Sequence, residues 1–195
     1  MKKIKSVCVY CASSSKINPR YFEAARETGR LLAQNGMRCV CGAGNQGLMG
    51  TLADSVLKNG GEVLGVIPRF MIDEGWCHKG LTETIVTADM HERKERMAQE
   101  ADAVIALPGG CGTMEELFEI ITWKQLGLYL NPIIILNING FFDPLFQMLE
   151  RAIEENFMRQ QHGDIWKVAQ TPEEAVELLQ TTPVWDASIR KFAAI

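Results

Sequence analysis

Pro108-Gly109-Gly110-Cys111-Gly112-Thr113-Met114-Glu115-Glu116 follows directly on the apolar run Ala103-Val104-Ile105-Ala106-Leu107. The pattern predicts a buried strand, a glycine-dense turn and a helix opening on Thr113. Glycines let the main chain approach an anion, and the first turn of a helix points free N–H groups at it. Phosphate suits such a cradle. Glu116 lies one turn further on, where a bare phosphate site has no use for a negative charge. An acid beside an anion cradle points to chemistry on a phosphorylated molecule.

The same four residues have a second reading. Thr113-x-x-Glu116 is a capping box, in which the two side chains satisfy orphan backbone donors. The chain repeats the pattern at Thr171-Pro172-Glu173-Glu174, with proline at the first helical position and nothing nearby that suggests chemistry. Four residues alone fit a cap. The preceding Pro-Gly-Gly-x-Gly favours the site, since an ordinary cap does not need three glycines. Helical spacing puts Glu116 on a stripe with Ile120 and Trp123, facing a packed or clefted surface, and turns Glu115 and Glu119 toward water.

Three other stretches carry polar chemistry. Ser13-Ser14-Ser15 follows the first apolar run, and its hydroxyls and N–H groups suit phosphate or ribose as well as a plain polar turn. Gly42 to Gly47 matches G-x-G-x-x-G between a strand and a helix. A dinucleotide site needs an acid at the end of the next strand, but that strand ends Val66-Ile67-Pro68-Arg69. Arg69 suits a 2′-phosphate, so an NADP-dependent oxidoreductase stays open as an alternative. Close helix packing, or a supporting wall that includes Gly44, explains these glycines equally well. His91-Glu92-Arg93-Lys94-Glu95-Arg96 resembles a solvated helix face. Yet Arg93 and Lys94 flank the stripe set by Met90, Met97 and Ala101, where an arginine is either snorkelling or paired in a cleft.

These pieces need a scaffold. Strands are expected at Ile4–Cys11, Met37–Cys41, Val63–Ile67, Thr84–Thr87, Ala103–Leu107, Pro132–Ile138 and Ile165–Ala169. Helices are expected at Pro19–Gln34 (capped by Asn18), Gln46–Asn59, His91–Glu100, Thr113–Leu126, Phe141–Phe157 and Pro172–Gln180, with a long loop over Pro68–Thr82. Uniformly apolar strands separated by helices predict an α/β fold: a three-layer, doubly wound, Rossmann-like parallel sheet with helices on both faces. With no linker or repeat, residues 1–195 are expected to form a single nucleotide-binding domain. The right-handed crossover rule places the loops after strands one, two and five on one rim.

Bulk properties narrow the partners. The 195 residues are 47% hydrophobic and 23% charged, with a net charge of −4. The chain is therefore globular, and the lack of a basic run argues against nucleic acid. No apolar stretch reaches membrane-spanning length. Cys8 and Cys11 fall on opposite faces of a strand, and Cys39 and Cys41 have no ligand cluster near them, so no metal is expected. The six cysteines are expected to be reduced thiols in a cytoplasmic protein.

The assembled motifs resemble the family of cytokinin-activating phosphoribohydrolases named after the plant enzyme Lonely Guy. Its P-G-G-x-G-T-x-x-E signature is matched by Pro108 to Glu116, and its M-x-x-R-K block by Met90, Arg93 and Lys94. Gly47-Leu48-Met49-Gly50 and Ile121-Thr122-Trp123-x-Gln125-Leu126-Gly127 share the family's character. Cys111 stands where plant members usually carry Tyr, Ala12 replaces a usual Gly, and the loop Phe70–Gly80 departs most. The resemblance implies hydrolysis of a nucleoside 5′-monophosphate, prenylated or plain AMP, to free base and ribose 5-phosphate without a cofactor. It implies Arg93 and Glu116 as the catalytic pair. Ser13, Ser14, Gly44, Met90, Lys94, Pro108, Gly109, Gly110, Gly112, Thr113 and Thr122 are the expected substrate contacts. It further implies a homodimer or higher homo-oligomer, and Phe118, Ile121 and Trp123 are expected to help form the interface. A non-catalytic carrier of the molybdenum-cofactor type is an alternative on a similar fold.

Overall fold

Seven strands form one parallel sheet in the computed structural model, which describes residues 3–192. They are β1 (Ser6–Tyr10), β2 (Arg38–Cys41), β3 (Val63–Pro68), β4 (Glu83–Thr87), β5 (Ala103–Ala106), β6 (Ile133–Leu136) and β7 (Lys167–Ala169). Their order is β4-β3-β2-β1-β5-β6-β7. The chain winds outward from β1 to β4, then returns to the other side of β1 with β5. The direction reverses between β1 and β5, and in open sheets ligands bind beyond the strand ends at such a point.

Alternating side chains of the central strands feed two cores. Val7, Val9, Cys39 and Ile105 join the core beneath α1 (Pro19–Gln34), α2 (Gly47–Lys58) and α7 (Pro172–Thr181). Cys8, Tyr10, Val40 and Val104 join the core beneath α4 (Met90–Gln99), α5 (Cys111–Gln125) and α6 (Asp143–Glu154). The three-layer, doubly wound fold is therefore as the alternation of apolar runs and helical patterns predicts, and Cys8 and Cys11 do fall into opposite cores.

Local chemistry sets most boundaries. Asn18 caps α1 by accepting from Arg20 N at 3.1 Å, and Pro19 opens the helix. Asp89 caps α4 through His91 N and Glu92 N. Most other ends shift by one or two residues, and three differences from the sequence reading have a local cause. The expected loop after β3 contains a five-residue helix, α3 (Arg69–Asp73), which buries no residue and is too short to show a helical period. The expected helix Phe141–Phe157 is preceded by a 3₁₀ turn at Ile138–Gly140 and shortened to α6, because Asn139 and Gly140 are left-handed and Pro144 fixes the first turn. Finally, α5 opens at Cys111 rather than Thr113.

Candidate active site

That third difference removes the capping-box reading of Thr113 and Glu116. The N-cap of α5 is Gly110, which has no side chain to cap with, and the first helical bond runs from Met114 N to Gly110 O at 3.0 Å. The N–H groups of Cys111, Gly112 and Thr113 precede that bond and face the strand ends as donors for an anion. Thr113 is the third helical residue and Glu116 the sixth, so the two do not form a capping box. Gly109 is required by proximity: a Cβ there would lie 2.1 Å from Thr113 Oγ1.

The β1 loop closes one side. Ala12 N donates to Pro108 O at 3.3 Å, while Ala12 O accepts from Leu48 N and Met49 N at the start of α2. The N-terminus of α2 is thus occupied by the β1 loop, and the helix start left open beside it is that of α5. Gly47, left-handed at φ 62°, sits where a Cβ would come within 2.4 Å of the Ser13 carbonyl carbon. Gly42 makes room in another way, since its Cβ would lie 1.8 Å from Arg93 Nη2. Two of the three motif glycines therefore serve close packing within the site. Arg69 is exposed on α3.

Arg93 is buried, and three of its nitrogens have assigned directions. Nε donates to Val66 O at 3.1 Å and Nη2 to Gly42 O at 3.2 Å. Nη1 faces Glu116 Oε1 at 3.5 Å and Met90 Sδ at 3.8 Å. At 3.5 Å the two charges attract without a well-formed hydrogen bond. The Glu116 side chain is only 11% exposed. Burial pushes its carboxyl up to about 7, and the Arg93 charge opposes the rise without cancelling it. Glu115 and Glu119 raise it further, and Lys94 lowers it. Burial also raises the Cys8 and Cys11 thiols and the Tyr10 hydroxyl, with a contribution from the Glu116 charge. Glu116 therefore hangs over the ends of β1 and β2, poised to gain or lose a proton near neutrality.

The remaining expected contacts divide. Pro108, Gly109, Gly110, Gly112 and Thr113 form the cradle itself, with Ser13 and Ser14 on the adjoining loop. Gly44 lies on the β2 loop, where Met49 packs against it. Met90 touches Arg93 and is partly exposed. Lys94 turns away from the cradle and pairs with Glu115 and with Glu119 at 3.1 Å. Glu115 and Glu119 thus serve Lys94 as well as solvent. Thr122 is exposed, two turns beyond Glu116, and its hydroxyl is taken up by Phe118 O at 2.8 Å. Sequence reasoning missed the anchors of Arg93, because backbone carbonyls carry no residue signature.

A groove of about 780 Å³ lies between α4 and α5, walled by His91, Glu119, Trp123, Leu128 and Val184. Ile121 is buried and Phe118 and Trp123 are half-buried, whereas Leu126 and Leu128 are exposed. Among the described residues no helix is long and apolar enough to cross a membrane.

Comparison with known proteins gives a consistent result. A family model described as "possible lysine decarboxylase" matches residues 49–179. The chain is 40% identical over 190 residues to the cytokinin riboside 5′-monophosphate phosphoribohydrolase LOG5 of Arabidopsis thaliana, covering 97% of this chain and 83% of that protein. It is also 40% identical over 178 residues to the phosphoribohydrolase LOG of Oryza sativa subsp. japonica, covering 91% and 74%. Among solved structures, the molybdenum cofactor binding protein of Rippkaea orientalis superposes with a TM-score of 0.70 at 22% identity, over 93% of this chain and 98% of that one. That likeness concerns the fold.

Proposed function

The chain belongs to the Lonely Guy family of phosphoribohydrolases, and from that membership we propose that it hydrolyses the N-glycosidic bond of adenosine 5′-monophosphates. Water adds across the bond between C1′ and the base, giving free base and ribose 5-phosphate. The observation that carries the reading is the buried Arg93–Glu116 pair beside the uncapped N-terminus of α5, at the β1/β5 switch.

In this scheme the N–H groups of Cys111, Gly112 and Thr113 hold the 5′-phosphate, helped by the Thr113 hydroxyl and the Ser13-Ser14 turn. Cleavage builds positive charge on the ribose ring, as in other glycoside hydrolyses. Ionised Glu116 lies where it stabilises that charge, binds ribose hydroxyls and accepts a proton from the attacking water. Arg93, fixed on Val66 O and Gly42 O, keeps Nη1 for Glu116 and the substrate. The whole chain then acts as one nucleotide-binding domain in the cytoplasm. A second copy on the α4/α5 face, with its exposed Leu126 and Leu128, accounts for the groove there as a dimer interface.

The decarboxylase description finds less support. Amino-acid decarboxylation through pyridoxal phosphate needs a lysine that reaches the aldehyde. Burial lowers Lys124 to about 7, but its Nζ donates to Asn131 O at 2.8 Å and lies 4.9 Å from the centre of the Trp185 ring. It sits at the far end of α5 from the cradle and does not fit that role.

Chromatography after incubation with AMP and with isopentenyl-adenosine monophosphate tests the proposal, with Glu116→Ala as control. Free base from either nucleotide, absent with the variant, is the expected outcome and ranks the two substrates. A folded protein that releases base from neither sinks the reading.

A further inference from the structure

Beyond α3 the chain turns back as a strap, residues 74–81, and lies along the β2 loop. Asn45 N donates to Trp76 O at 3.0 Å, and His78 N donates to Ala43 O at 2.9 Å. Gly44 and Cys77 form an antiparallel bridge between these bonds. The Asn45 side chain adds a bond to Gly75 O at 2.9 Å. The strap is itself anchored by one imidazole. His78 Nδ1 accepts from Gly80 N at 3.0 Å, so the ring proton resides on Nε2, which donates to Asp54 Oδ1 on α2 at 2.9 Å.

The strap grips a strained residue. Ala43 is fully buried and left-handed at φ 59°, a conformation that a residue with a Cβ keeps only when its surroundings enforce it. Its carbonyl is held by the strap, and its Cβ lies against Gly65, where a second Cβ would approach within 2.6 Å. The residue before it, Gly42, supplies the carbonyl that anchors Arg93 Nη2. The direction of that carbonyl depends on the peptide that joins Gly42 to Ala43.

We propose that His78 is a positioning residue for Arg93: tied to Asp54, it holds the strap on Ala43 and so fixes the Gly42 carbonyl against which the guanidinium is set. The inference uses the phosphoribohydrolase reading only for what Arg93 does, and the placement of Arg93 can be followed without turnover. Four charged groups face Glu116 closely enough to bias it: Arg93 and Lys94 from α4, and Glu115 and Glu119 from its own helix. Only Arg93 is tied to the β2 loop.

The test is a ¹³C NMR titration of the Glu116 carboxyl in the ligand-free protein. Loosening Arg93 removes the largest influence favouring the ionised form. The midpoint in His78→Ala should therefore rise by about half a pH unit or more. Asp54→Ala, which alters an exposed side chain, should shift it the same way by less, and decides the matter if His78→Ala does not fold. Asp54→Asn keeps an acceptor for Nε2 and should stay at the wild-type value. Ala43→Gly in the His78→Ala background should restore the midpoint at least in part, because glycine holds the left-handed turn without help. A merely structural His78 would show lower stability with an unchanged midpoint, and that result overturns the proposal. Where the wild type releases base, kcat of His78→Ala should fall roughly tenfold to a hundredfold, with KM changing less. A wild type that releases no base defeats the functional reading and leaves the NMR result to decide this one.

Discussion

The chain uses Thr-x-x-Glu twice, and the two copies do different work. At the start of α7, Thr171 accepts from Glu174 N at 3.2 Å, and the Glu174 carboxylate reaches back to Gln170 N at 2.7 Å. Both side chains are exposed and both serve the backbone. In α5 the same spacing begins two residues after the helix does, so Thr113 is buried at the strand ends and Glu116 meets Arg93. The difference lies in what flanks the threonine. Pro172 permits only a first turn that starts on Thr171, whereas Gly110-Cys111-Gly112 lets α5 start early and leaves its N–H groups uncapped. A cap and a site share a sequence pattern, and the flanking residues choose between them.

The sharpest contrast between the copies is in turnover. Glu116→Gln keeps the shape and removes the charge that the proposed mechanism sets against the ribose cation. Base release should fall by about 10²- to 10⁴-fold. Glu174→Gln should leave it unchanged. Steady-state rates on AMP or isopentenyl-adenosine monophosphate compare the two, and equal losses would erase the distinction.

A second contrast is in stability against pH. The Glu116 carboxyl is raised from 4.5 to about 7. Between those values the folded chain keeps a proton that the unfolded chain has released, so stability falls as the pH rises through that window and levels off above it. Two and a half units correspond to about 3 kcal/mol, an order-of-magnitude figure. Urea midpoints for Glu116→Gln should lack this contribution, so the variant gains on the wild type between pH 4.5 and 7.5. Glu174→Gln should keep the wild-type slope. A parallel slope in Glu116→Gln would mean that Arg93 fully offsets the burial.

Much of this arrangement was legible in the residues, for identifiable reasons. Asn18-Pro19 marks the start of α1 because a cap and a fixed φ act locally. Helical period alone puts Arg93 and Lys94 beside Met97 and leaves snorkelling and pairing in a cleft both open; the structure buries both. Spacing does not give their partners, and only the family resemblance pairs Arg93 with Glu116, since Glu115 and Glu116 lie more than twenty residues away and only the β1/β5 switch brings α5 beside α4. The sequence sets the start of α5 two residues late, because threonine advertises a cap that glycines upstream render unnecessary. The strap reads as a loop in the sequence, having neither periodicity nor an apolar face, and its bonds are mostly main-chain. Gly42 could be seen as part of a motif, but its reason, a guanidinium 51 residues away, is a tertiary fact.

The smallest contrast exchanges the threonines. Thr171→Ala removes the acceptor for Glu174 N and should cost about 1 kcal/mol of stability, with base release intact. Thr113 caps nothing, which leaves its hydroxyl for the substrate in the proposed scheme. Thr113→Val keeps the branched shape that packs at the strand ends and should change stability less than Thr171→Ala does. What it loses is a donor to a charged phosphate, and KM for the nucleotide should rise by about tenfold. Chemical denaturation and steady-state kinetics on both variants give four numbers, and the pattern matters more than any one of them. Of these two threonines, the cap should register in stability and Thr113 in binding. If Thr113→Val lowered stability as a cap does while leaving KM untouched, the two copies of Thr-x-x-Glu would be the same device after all, and the anion cradle would rest on its glycines without Thr113.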